Sequence, residues 1–103
     1  REVTSALKWI LSLCKPLRII LIGSALGCDF DDCSDLDFVL LFDTKMDARD
    51  ARKRLYTSMR PIQRSIECIC VDMETFKQAA EIGGIFWVAK QEGKLLYDFR
   101  AKS

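Results

Sequence analysis

The sequence predicts an α+β domain, a mixed β-sheet of three to four strands flanked by helices. Three observations predict it. Near-continuous apolar runs at 17–22, 36–42 and 65–71 have the length and composition of covered strands. Segments at 2–14 and 47–59 space their apolar residues at helical intervals instead. The connections also differ. About a dozen loop residues join the first two runs, too few for a parallel crossover, whereas a whole helix separates the second from the third. The first strand pair is therefore expected to be antiparallel and the second parallel.

The elements follow in order. Val3, Ala6, Leu7, Ile10, Leu11 and Cys14 form one helical face, and Pro16 ends that helix. The strand at 17–22 stops at Gly23. After the second strand, Asp47 is expected to cap a helix reaching about Met59, with Ala48, Ala51, Leu55 and Met59 inward. Arg49, Arg52, Lys53 and Arg54 lie on its outer face. Pro61 precedes the third strand, in which Ile66, Cys68, Ile69 and Cys70 around Glu67 predict burial on both faces. Helical segments at 74–80 and 85–91 are divided by Gly83-Gly84, and 94–99 closes the sheet as an edge strand.

Composition narrows the chemistry. The 103 residues are expected to form a single domain, 1–103, half of them hydrophobic and with a net charge of +1. No apolar run is long enough to span a membrane, and no signal-peptide pattern is present. An N-terminal Arg rather than Met reads as a trimmed end or a piece of something longer. Five cysteines without a C-x-x-C pair predict reduced thiols and a cytoplasmic location. Histidine is absent, which removes Ser-His-Asp triads, Cys-His dyads and H-E-x-x-H sites. Any catalysis must fall to carboxylates.

Carboxylates crowd one place. Asp29, Asp31, Asp32, Asp35 and Asp37 lie within nine positions, after Gly23-Ser24 and against an apolar strand. Asp35 and Asp37, two apart on a strand, are expected to share a face, about 7 Å apart at Cα. They repel unless a cation sits between them, and Mg²⁺ accepts carboxylates together with substrate phosphates. The parallel crossover would bring Glu67 to the same end, completing the site. Gly23 permits close backbone approach to a phosphate, and Ser24 adds a hydroxyl. An EF-hand beginning at Asp29 fails, because its sixth position is Ser34 and its twelfth Leu40.

At these residues a resemblance becomes specific. Gly23-Ser24 followed ten residues later by Asp35-Leu36-Asp37 resembles the signature of the DNA polymerase beta-like nucleotidyltransferase superfamily. The brevity of the chain is similar to that of the minimal nucleotidyltransferases (MNT proteins). K-P-x-x-I-x-L-x-G-S at 15–24, S-D-x-D-x-V-L at 34–40 and E-G-x-x-L-Y-D at 92–98 extend the likeness over nearly the whole chain. Two positions depart: the third carboxylate is Glu67 where the family usually has Asp, and Ala25 stands where Arg often follows G-S.

The resemblance implies a nucleotidyltransferase fold in which Asp35, Asp37 and Glu67 are catalytic and hold two Mg²⁺ ions. Gly23, Ser24 and Ser34 would contact the nucleotide triphosphate. It implies transfer of a nucleoside monophosphate, AMP from ATP foremost, onto a hydroxyl of a partner protein. It also implies a helical HEPN-type toxin as partner, with this chain as antitoxin. The alternative is a non-catalytic nucleotide- or partner-binding subunit that retains the fold. Self-association, or binding of a helical partner, through the C-terminal third with Phe86, Trp87 and Tyr97 is a further expectation. A third reading is a nucleotide-adding enzyme acting on RNA, with Arg49, Arg52, Lys53, Arg54, Arg60 and Arg64 as a phosphate-contacting face. With a net charge of only +1 that run reads mainly as a solvated helix face, which disfavours nucleic acid as partner without removing it.

Overall fold

Glu2–Leu13 forms helix α1, and its sequence shows why. Ala6 and Ile10 are wholly buried on one face with Cys14 beyond them, and Val3, Leu7 and Leu11 flank that stripe half-buried. The computed structural model describes residues 2–22, 35–58 and 65–99. Pro16 is buried directly after the helix, and strand β1 (Arg18–Ile22) follows. The remaining elements are β2 (Asp35–Phe42), α2 (Lys45–Thr57), β3 (Ser65–Asp72), α3 (Met73–Ile82), α4 (Ile85–Glu92) and β4 (Lys94–Asp98).

The strands form one mixed sheet in the order β3-β2-β1-β4. β1 runs antiparallel to β2, and β2 runs parallel to β3, as connection lengths predict. β4 lies antiparallel against the other side of β1, with a register shift opposite Ile19/Ile20. Alternation of side chains divides the core into two layers. Ile19, Leu21, Leu36, Phe38, Leu40, Phe42 and Ile66 pack under α1 and α2. Ile20, Ile22, Val39, Leu41 and Val71 pack under α3 and α4. The central strand β2 is therefore apolar on both faces from Phe38 onward.

Several boundaries differ from the sequence reading for identifiable reasons. Thr44, not Asp47, caps α2: its hydroxyl accepts the Asp47 N–H at 3.1 Å, which leaves Asp47 in the first turn. Ser58 is extended, so α2 ends before Met59. The third helix begins at Met73 because Asp72, the last residue of β3, turns its carboxylate onto the Thr75 N–H at 3.1 Å. Only 7 % exposed, Asp72 is the buried carboxylate of the described residues. The hydrogen bonds from Thr75, led by its side chain, hold that carboxyl below its ordinary value.

The third strand also differs. β3 is an edge strand, so Cys68, Ile69 and Cys70 are half-buried and Glu67 is exposed, not sealed on both sides. Edge position rather than composition decides this: β3 has a strand neighbour on one side only among the described residues. The C-terminal aromatic residues separate as well. Phe86 meets Phe76 edge-on with centroids 5.7 Å apart, and Tyr97 packs against the α1/α2 layer. Trp87, Leu95 and Phe99 remain exposed.

Candidate active site

β1 ends, and β2 and β3 begin, at one end of the sheet. There the register sets Ile22 opposite Asp37, and Asp37 opposite Glu67, in a single row across three strands. Neighbouring strands are about 4.8 Å apart, so Asp37 and Glu67 leave the backbone side by side. Asp35 takes the position opposite Ser65, two residues earlier along β2. By strand alternation Asp37 is on the face of Val39 and Leu41, and Glu67 on the face of Ile69 and Val71. Both acids therefore belong to the α3/α4 side of the sheet.

Burial grades along this row. Ile22 is buried, Asp37 half-buried and Glu67 exposed. The site thus opens at the β3 edge, where a solute can reach Glu67 without disturbing the core. Asp37 already has an interaction within the chain. The side chain of Asp35, and all of Gly23, Ser24 and Ser34, lie outside the described residues, as do Cys28 and Cys33. Among the described residues no group of three His, Cys, Asp or Glu is close enough to hold a metal ion.

The chain matches no family model, no curated protein and no solved structure. Two adjacent carboxylates with only oxygen donors suit a hard divalent cation such as Mg²⁺, which readily keeps water and phosphate among its ligands. The exposure of Glu67 leaves room for those further ligands. The pair has the donor chemistry for such an ion, without a third ligand beside it among the described residues.

A second concavity lies elsewhere. A groove of about 410 Å³ between the end of α1 and α2 is lined by Leu11, Cys14, Phe42, Asp47, Asp50 and Arg54. It is on the α1/α2 side of the sheet, opposite the face of Asp37 and Glu67. Arg54 is held there: its Nη1 donates to the Leu13 carbonyl at 3.2 Å, satisfying one of the last carbonyls of α1. Arg54 therefore leaves the outer cationic run to which the sequence assigned it. Sequence reasoning also missed Asp72. A D-x-x-T spacing directly after an apolar strand was the available signal for its cap.

Burial makes Cys14 and Cys70 poor nucleophiles. It pushes Cys14 up to about 11, and Cys70 up to about 12 with a contribution from Cys14, partly offset by Arg52. Neither faces the carboxylate side. Among the described residues, no helix is long and apolar enough to cross a membrane.

Proposed function

We propose that this chain is a Mg²⁺-dependent minimal nucleotidyltransferase that moves AMP from ATP onto a hydroxyl of a partner protein. The observation that carries the reading is the in-register pairing of Asp37 with Glu67 across the parallel strands β2 and β3, with Asp35 two residues before. The G-S…D-x-D spacing brings the nucleotide to that pair, with Gly23, Ser24 and Ser34 as its contacts.

Asp35, Asp37 and Glu67 would hold Mg²⁺, which supplies charge neutralisation on the triphosphate. Glu67, reachable from solvent at the sheet edge, orients the acceptor hydroxyl and takes its proton. The half-buried Asp37 is the fixed element, anchored between the strand pairings to β1 and β3. The hydroxyl oxygen forms a bond to the α-phosphorus while the bond to pyrophosphate breaks. Positioning and electrostatics supply the catalysis. A helical HEPN-type protein, docking at the open edge, provides both the acceptor and the missing wall, in the manner of an antitoxin that modifies its toxin.

Thermal unfolding with Mg²⁺ and ATP tests the reading. Ligand at 100 times its Kd stabilises the native chain by about 2.7 kcal/mol. Asp35→Asn together with Asp37→Asn should abolish that shift and leave the ligand-free fold intact. A shift that survives the double substitution refutes the site.

A further inference from the structure

The charges of α2 are segregated by side. At 100° per residue, Arg49, Arg52, Lys53 and Tyr56 fall on one flank of the helix, and Asp47, Asp50 and Arg54 on another. The second flank lines the groove against α1. No carboxylate of α2 falls on the first. Arg49, Arg52 and Lys53 are exposed, and none of them is in an ion pair with another described residue. Lys45 extends the same flank by one turn and lies near enough to Asp72 to help keep its carboxyl ionised.

Tyr56 gives this flank its second property. A tyrosine on an exposed helix face commonly lays its ring on neighbouring apolar surface, yet this one is 67 % exposed. Its ring has Arg52 over it, with the guanidinium carbon 5.4 Å from the centroid. Cations one helical turn apart follow one another at about 5.4 Å along the axis. An exposed ring at the end of such a row is the combination that single-stranded nucleic acid requires: charges for consecutive phosphates and a platform on which an unpaired base stacks.

We propose that the Arg49–Arg52–Lys53–Tyr56 flank of α2 is a binding surface for single-stranded RNA. Charge complementarity selects a polyanion, and the exposed aromatic ring selects unpaired bases over a duplex or a lipid surface. The surface lies on the opposite side of the sheet from Asp37 and Glu67. It neither needs Mg²⁺ nor rests on the transferase reading.

The test is fluorescence anisotropy of a labelled 12-nucleotide mixed-sequence RNA against the full chain, without Mg²⁺ or nucleotide. Three phosphate contacts predict a log–log salt slope near −2, so affinity should fall about twentyfold between 50 and 200 mM salt. Arg49→Ala with Lys53→Ala should flatten that slope to about −0.7. Tyr56→Ala should weaken binding about fivefold or more and leave the slope unchanged. All three side chains are exposed, and unaltered melting temperatures would show the variants folded. No binding at 50 mM salt overturns the proposal, as does binding that the double substitution does not move. Equal affinity for duplex RNA or anionic vesicles, with no effect of Tyr56→Ala, overturns the assignment to single strands.

Discussion

Replacing Gly93 by Ala puts one methyl group against Ile20 of β1, directly after α4. Gly93 has φ −71° and ψ 153°, an extended conformation that alanine adopts freely, so backbone strain is not at issue. Space is. A Cβ there would collide with Cγ2 of Ile20 and come within 2.5 Å of the Ala89 carbonyl oxygen. Ile20 is a stiff, β-branched side chain within the α3/α4 layer, and the Ala89 oxygen already accepts the Gly93 N–H at 3.1 Å. Neither can yield without moving the last turn of α4.

Two opposing magnitudes decide the outcome. Overpacking of this kind costs about 1–3 kcal/mol, and a clash with backbone belongs at the upper end. Loss of glycine's freedom in the unfolded chain returns about 0.4–1 kcal/mol. The net is a destabilisation of about 1–2 kcal/mol. For a domain of this size that lowers Tm by about 5–15 °C. Circular dichroism melts and urea titrations at equal m-value provide the measurement. A variant as stable as the parent, or more so, would refute the packing of α4 on β1 at this point.

Other expectations concern the cap and the thiols. Asp72→Ala should lower stability by about 1 kcal/mol through loss of the α3 cap, read by urea denaturation at pH 7. The carboxyl of Asp72 is held below its unfolded value, so its contribution is present above pH ~4 and fades as pH falls through the lowered folded value. Asp72→Asn should accordingly show a shallower stability loss between pH 5 and 3 than the parent. With Cys14 and Cys70 pushed up to about 11 and 12, iodoacetamide at pH 8 should leave both unmodified in the native chain and label them on unfolding. Mass spectrometry of native and urea-treated samples checks this, and native labelling at Cys70 would mean that β3 is not packed under α2.

The strand pairings were legible because chain length alone restricts them: a short connection forces β1 and β2 antiparallel, and α2 permits β2 and β3 to run parallel. The juxtaposition of Asp37 with Glu67 followed from that topology. What the sequence could not convey was position within the sheet. Ile66, Cys68, Ile69 and Cys70 read as a doubly covered strand, but local composition does not say which strand becomes an edge, and Glu67 proved exposed for that reason. Helix starts were misread where two polar residues compete to cap. Thr44 caps α2 by accepting the Asp47 N–H, which places Asp47 within the first turn, where its charge suits the positive end of the helix. Likewise, four consecutive-looking cations on α2 cannot be sorted by eye, since Arg54 turns to the α1 carbonyl while its neighbours do not.

The order β3-β2-β1-β4 has a consequence for synthesis on the ribosome. β1, β2 and β3 are all made by residue 72, so the Asp37–Glu67 row can form before residues 73–103 are made. β1 must wait. Its second partner is β4, the last of the four described strands to be made, and until Lys94–Asp98 emerges the buried residues Ile19–Ile22 present an unpaired, apolar margin. Open margins of that kind recruit other chains. A nascent or truncated product ending after α3 would carry the acidic row intact yet be prone to aggregate, so β4 acts as a seal on the sheet.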